Sequence, residues 1–314
     1  MRLCRYRDGN EVRAAFYEDD RLIPLSAAAA LAGVELPAGD SLLPLTTCGS
    51  ARESVRRIEE ELARRDAGEI AQLAAPTSSV ELEVPVPDPS KLLLLAGNYA
   101  KHVEETGFRS EERARTFPYV FMKPPSTTLT RPGDPVRLPV GSPDKIDWEL
   151  ELAVIIGRRC RNVTEQDALA YVAGYTIVND ISDRGFRPNV NRTQRDKDQF
   201  FDWLHGKWHD TFCPMGPCLL PADELADPQT LAMRLTVNGH VEQEASTAEM
   251  VFPVAAVIEF VSSFVTLEPG DVISTGTPQG VGMAKGKFLR PGDVLEASIE
   301  RIGVLRNPVA GEAK

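Results

Sequence analysis

The sequence predicts a strand-rich α+β protein in which a small N-terminal α+β domain precedes a larger, strand-rich one. Three observations carry that expectation. A long helical pattern lies early in the chain. A proline-rich junction follows, at Pro76, Pro85, Pro87 and Pro89. Beyond it, short apolar β-like runs alternate with Gly/Pro turns and few helices. We draw the boundary after residue 85, giving domains at 1–85 and 86–314, as a chain of 314 residues allows.

The elements follow in order. Residues 1 to about 25 read as short strands joined by a turn at Asp8-Gly9-Asn10. Ser26–Ala32 reads as a short helix capped by Ser26. Ser50–Leu73 reads as a helix, with Val55, Ile58, Leu62, Ile70 and Leu73 on recurring faces and an interruption at Gly68. After the junction, strands are expected at Lys91–Ala96, Val120–Lys123, Glu149–Ile156, Tyr175–Asn179, Leu231–Val237, Asp271–Ser274 and Val294–Ile299. Only Thr164–Ala173 and Ala255–Phe264 read as helices there.

Composition narrows the function classes. The hydrophobic fraction of 42% with 26% charged residues is that of a globular protein. A net charge of −11 argues against nucleic acid as a partner, because a phosphate backbone demands excess Lys and Arg. The five cysteines form no CxxC pair, and Cys213 and Cys218 lack a second pair at zinc-site spacing, so free thiols in a reducing cytosol are expected. The charged N-terminus has no signal-peptide core and no apolar run reaches membrane-spanning length; a cytoplasmic protein with no membrane partner is the expectation.

The sharpest chemical signal is Asp147-Trp148-Glu149-Leu150-Glu151-Leu152. Glu149 and Glu151 open an apolar strand, where residues i and i+2 share a face roughly 6.5 Å apart. Their like charges repel unless a cation lies between them. An acidic, solvated edge strand explains the pair equally simply. Asp180, ending the run Tyr175–Asp180, adds a third carboxylate. Three carboxylates and water suit Mg²⁺ or Mn²⁺, with Ca²⁺ also compatible, over zinc.

Gly97 and Gly107 bracket a segment on which His102 and Glu105 stand at i and i+3. A helical turn there makes them neighbours, and a carboxylate beside an imidazole suits a general base acting on water; an incidental surface ion pair is the alternative. Lys123 and Lys207 each read either as cleft lysines meeting an anion or as lysines reaching solvent. The small-residue loop Ser274–Gly282 can hold a carboxylate or be a plain turn. It lacks the Walker lysine pattern.

Taken in order, these segments resemble the fumarylacetoacetate hydrolase superfamily, in its 2-oxo acid hydrolase or acylpyruvase-like branch. The resembling stretches are Gly97-Asn98-Tyr99 with His102 and Glu105, Phe121–Pro124, Asp147–Leu152, Gly174–Arg184, Gly206–Pro217, Val237-Asn238-Gly239, Glu268–Pro278 and Ile302–Asn307. They span about residues 90 to 309. The resemblance implies a mixed β-roll or β-sandwich catalytic domain and, for most members, a homodimer. It implies metal ligands at Glu149, Glu151 and Asp180. It places His102, Glu105 and Lys207 in the catalytic set, and Lys123, Arg184 and Thr277 against substrate. The chain departs from the pattern between Arg184 and Lys207, where it carries GFRPNVNRTQRDKDQFFDWLHG and no glutamine at the expected offset.

The implied chemistry is metal-dependent cleavage of a C–C bond in a small anionic 2,4-dioxo acid through a metal-stabilised enolate. His102 and Glu105 activate water. Decarboxylation, hydration or dehydration, and isomerisation of a 2-oxo acid or a 3-deoxy-2-oxo sugar acid are alternatives on the same site. A non-catalytic binding protein is the alternative of another class.

Overall fold

The structure, a computed structural model, describes residues 1–107 and 113–311. Among these, twelve strands form one sheet. Its main path runs, in spatial order, Ala75–Pro76, Arg21–Pro24, Glu11–Tyr17, Arg2–Asp8, Cys213–Pro221, Val172–Asn179, Leu150–Ile156, Val272–Ser274, Leu92–Ala96 and Tyr119–Met122. Glu81–Glu83 joins the sheet beside Arg2–Asp8, and Leu129–Thr130 beside Cys213–Pro221. A second sheet of five strands runs His240–Ser246, Ala232–Val237, Val294–Ile299, Gly303–Gly311 and Val136–Leu138. The α+β, strand-rich class expected from the sequence is the class observed.

The strand Leu150–Ile156 sits deep in the large sheet, antiparallel to both neighbours. All seven of its residues are buried. Strands covered on both faces read as continuous apolar runs, which is what Leu-Ala-Val-Ile-Ile supplies. The period of two sorts its side chains. Leu150, Leu152, Val154 and Ile156 share a core with Leu235, Leu295, Ala297 and Ile299 of the second sheet. Ala153 and Ile155 turn the other way, into a core shared with Val55, Ile58 and Leu62 of the helix Ser50–Arg64. Burying side chains of this kind stabilises by about 1.5–3 kcal/mol each. The first strand, Arg2–Asp8, pairs with Cys213–Pro221 at Leu3 and Leu219, so the N-terminal segment extends the same sheet.

Several elements differ from expectation. The first helix spans Leu25–Ala32 with Pro24 at its N-cap, and Ser26 lies inside the first turn without capping it. The long helix is two, Ser50–Arg64 and Ala67–Leu73. The break falls before Gly68, at Arg65-Asp66, because Asp66 caps the second helix: its Oδ1 accepts the Gly68 and Glu69 amides at 2.7 and 3.0 Å. The helix expected over Thr164–Ala173 ends early, as Glu165–Ala168 plus a 3-10 turn, and the strand Val172–Asn179 takes over. Several elements were not anticipated, among them the strands Val136–Leu138, His240–Ser246 and Gly303–Gly311 of the second sheet, and two others lie close to the site. One is the nine-residue strand Cys213–Pro221; the other is the helix Asp198–His205, inside the polar stretch before Lys207. All five cysteines are free, four of them buried. No helix among the described residues is long and apolar enough to cross a membrane.

Candidate active site

The strand start at Glu149-Leu150-Glu151 and the strand end at Asn179-Asp180 lie side by side. Leu150 pairs with Asn179, the Asp180 amide donates to Glu149 O at 2.8 Å, and Asn179 Oδ1 accepts the Glu149 amide at 2.9 Å. The register therefore delivers three carboxylates to one point. Ligand atoms of Glu149, Glu151 and Asp180 lie within 4.8 Å of one another, and all three residues are buried. Because the strand is flanked on both sides, the solvated-edge explanation of Glu149 and Glu151 fails.

Three cations face this cluster. Lys207 Nζ donates to Glu149 Oε2 at 2.8 Å and also to Asp180 Oδ2. Lys123 Nζ stands 2.5 Å from Asp180 Oδ1 and donates to Ile181 O at 2.9 Å. Arg184 binds Glu149 Oε1 and, through Nε, Asp147 Oδ2 at 3.0 Å. Both lysines are buried, which excludes the solvent-reaching alternative. Burial pushes the Glu149 carboxyl up, but Lys207 and Arg184 outweigh it and hold that group far below the usual carboxylate range. For Glu151 the relief from Ser274 and Lys207 is too small. Burial, then Asp180 and Glu149, push its carboxyl well above the ordinary value. Its Oε2 accepts Ser274 Oγ and the Gly276 amide, while Oε1 is buried with no hydrogen-bond partner.

A hard divalent cation fits this set. The donors are all carboxylate oxygens, one is orphaned, and the crowded negative charge is the kind a cation relieves.

The second group is His102 and Glu105, on the short helix Ala100–Glu105. His102 Nδ1 and Glu105 Oε1 are 2.9 Å apart. The Gly280 amide donates to both Glu105 oxygens, at 3.0 and 2.8 Å, so the carboxylate is fixed independently of the imidazole. At the base of the helix, Asn98 is fully engaged. Its amide donates to Phe252 O and Thr275 O, and its oxygen accepts the Phe252 amide. His102 is near enough to Glu149 to help hold that carboxyl down.

Burial alone would raise the Glu105 carboxyl, but the bonds from His102 and Gly280 outweigh it and lower it. A lowered carboxyl adds stability above its unfolded pKa and loses it as pH falls through its folded pKa. The tie between the short helix and Gly280 is therefore expected to hold at neutral pH and release in acid. The Gly280 amide resonance, followed down a pH titration, checks this.

The loop Ser274–Gly282 does hold carboxylates, and they are the protein's own. Gly276 N–H binds Glu151, Gly280 N–H binds Glu105, and Gly282 N–H binds Asp147 at 2.6 Å. Thr277 Oγ1 donates to Leu150 O and accepts from Gln243 Nε2, both within this scaffold. Gly280 has a φ of +101°, and a Cβ there would stand 2.2 Å from Glu242 O. Gly280→Ala is expected to cost about 2–4 kcal/mol through strain and overpacking, and to loosen Glu105. Urea denaturation with parallel activity assays measures both effects.

Two participants were not singled out from the sequence. Asp147, fully buried, accepts the Gly282 and Met283 amides and clamps Arg184. Gln243 accepts the Leu150 amide at 2.9 Å and donates to Thr277 and Pro278 O. An acidic residue two before Glu149 was a visible signal for the first. Nothing local marks Gln243, which acts on a strand 93 positions away in sequence.

The sequence profile described as Fumarylacetoacetate (FAA) hydrolase C-terminal matches residues 91–310. The chain belongs to the fumarylacetoacetate hydrolase family. Its relatives within that family differ in activity. It is 42% identical over 254 residues to a 2,4-didehydro-3-deoxy-L-rhamnonate hydrolase of a Sphingomonas species, covering 80% of this chain and 84% of that one. It is 40% identical over 234 residues to a mitochondrial oxaloacetate tautomerase of Xenopus laevis, covering 74% and 69%. Among solved structures, maleylpyruvate hydrolase from a Sphingobium species, in complex with manganese(II) and pyruvate, superimposes with a TM-score of 0.73 at 32% identity, over the whole of both chains. A fumarylacetoacetate hydrolase family member with this fold and an acidic trio is an enzyme scaffold able to hold a divalent metal. The family alone does not choose between hydrolysis and tautomerisation.

Proposed function

We propose that the protein is a Mg²⁺- or Mn²⁺-dependent hydrolase that cleaves a C–C bond in a small anionic 2,4-dioxo acid. The observation that carries this reading is the His102–Glu105 pair, fixed by the Gly280 amide beside the carboxylate trio. A reaction that consumes water needs a base, and this pair is built as one. The identity to the rhamnonate-type hydrolase and the likeness to maleylpyruvate hydrolase support the same choice.

Glu149, Glu151 and Asp180 would hold the ion, which when bound supplies Lewis-acid polarisation of the substrate's 2-oxo group. Glu105 accepts a hydrogen bond from His102 Nδ1–H, and that leaves Nε2 free to take a proton from water. The resulting hydroxide adds to the C4 carbonyl. The C3–C4 bond breaks, and the electron pair and one proton pass to C3, giving a 2-oxo acid and a carboxylic acid. Arg184 and Lys207 orient the anion and offset its charge against the buried carboxylates. Glu105 also stabilises the imidazolium formed on the way.

Tautomerisation of a 2-oxo acid is the second reading, supported by the 40% identity to the oxaloacetate tautomerase. There His102 would move a proton between carbon and oxygen without consuming water.

Incubation of Mn²⁺-loaded protein with acylpyruvates tests the choice. Loss of the enol absorbance with stoichiometric pyruvate release is the result expected of a hydrolase. Accelerated enol–keto exchange of oxaloacetate without C–C cleavage would replace the first reading with the second.

A further inference from the structure

The helix Asp198–His205 lies in the polar stretch between Arg184 and Lys207, and it has no role in the chemistry above. It nonetheless reaches the site. Trp203 lies on it, and Lys207 follows four residues later. The helical hydrogen bonding runs on past its end, with Gly206 N–H on Asp202 O and Lys207 N–H on Leu204 O. Residues i and i+4 on such a turn are neighbours. The Lys207 ammonium stands 6.0 Å from the Trp203 ring centre and 5.4 Å from that of Phe121, which is on the strand Tyr119–Met122. The two rings meet edge-on at 5.0 Å and 67°, forming a corner.

An ammonium has three N–H donors. Two of those of Lys207 go to Glu149 and Asp180. The aromatic corner covers a further side of the buried nitrogen, where ring faces attract a cation within about 6 Å. The turn has no room to slip: a Cβ at Gly206 would stand 2.4 Å from Asp183 O. The helix is itself tied down by Arg192, which bridges Asp198 and Asp202.

We infer that Trp203 is a positioning residue: with Phe121 it forms a cation–π corner that fixes the Lys207 ammonium between Glu149 and Asp180, and so makes the helix Asp198–His205 a working part of the site. The inference rests on the placement of Lys207 in the catalytic set. Its physical core is testable whatever reaction the site performs.

The experiment compares Trp203→Phe with Trp203→Leu. Phenylalanine keeps a π face, whereas leucine keeps apolar bulk without one. In protein labelled with ¹³C at the lysine ε-carbons, with the signal assigned through Lys207→Arg, the Lys207 ε-methylene is expected upfield from ring currents. That displacement should survive largely in Trp203→Phe and diminish in Trp203→Leu. In the Mn²⁺-loaded enzyme, Trp203→Leu is expected to lower kcat/KM about tenfold, and Trp203→Phe about twofold. In a Lys207→Met background, Trp203→Leu should cost nothing further. Equal spectra and equal kcat/KM for the two variants would overturn the proposal, as would an undiminished loss in the Lys207→Met background. If no 2,4-dioxo acid is turned over, the hydrolase reading fails, and the ε-methylene shift alone still decides the role of Trp203.

Discussion

Glu151→Gln is expected to lower turnover by about a thousandfold or more, together with metal affinity, while the metal-free protein becomes more stable. The three effects have one cause. Glutamine keeps the shape of the side chain and can still accept Ser274 Oγ and the Gly276 amide, so the scaffold stays in place. What it removes is charge. In a site made of three buried carboxylates, that charge serves the ion and strains the empty protein. The pH dependence carries a definite sign. Burial, Asp180 and Glu149 raise the Glu151 carboxyl well above its ordinary value. A group raised on folding adds stability below its unfolded pKa and loses it as pH rises through the folded one. Metal-free wild type should therefore lose stability toward alkaline pH, and Glu151→Gln should flatten that decline. Metal uptake by the wild type should release a proton. Thermal melts across pH, Mn²⁺ titration followed by electron paramagnetic resonance, and calorimetry in buffers of different ionisation enthalpy check these outcomes. A Glu151→Gln protein that bound Mn²⁺ as tightly as wild type would remove Glu151 from the ligand set.

His102→Ala separates base from metal. Turnover is expected to fall by about 10²–10⁴-fold, the usual contribution of a positioned base. Mn²⁺ affinity is expected to survive, because His102 is no member of the carboxylate trio. Glu105→Gln should lie between wild type and His102→Ala: it keeps a partner for Nδ1 but loses the charge that stabilises the imidazolium. A His102→Ala enzyme that kept full C–C cleavage would mean that water is activated elsewhere. Loss of tautomerisation with no cleavage in either protein would favour the second reading.

The trio was legible because its geometry is local twice over. Glu149 and Glu151 share a face by the period of a strand, and Asp180 ends a strand that reads as one. What the sequence left open was whether that strand lay at an edge or in the middle of a sheet, since this depends on Val272–Ser274 arriving from more than 100 residues away. The strand Cys213–Pro221 stayed hidden because three prolines disguise it. Proline cannot donate to a ladder. The pairing with Val172–Asn179 accommodates this by breaking register between Tyr175 and Ile177. The helix Asp198–His205 was obscured by its charged approach, Arg195-Asp196-Lys197, although Phe200, Phe201 and Trp203 were signals of packing. The broken helix at Arg65-Asp66 shows a cap outweighing apolar periodicity. Asp147 was marked by its place two residues before Glu149, whereas Gln243 acts on the Leu150 amide from 93 positions away, and no spacing rule reaches it.

Three glycine amides, at positions 276, 280 and 282, each grip a different acid: a member of the carboxylate trio, the partner of His102, and the clamp on Arg184. One short segment thus sets the mutual distances of the three acids through backbone amides, and at each of these glycines an added Cβ would collide with a neighbour and shift the amide. Drift in this loop would mistune all three at once. Substitutions in the stretch between Arg184 and Lys207 carry no such three-way link, and are expected to change one contact at a time.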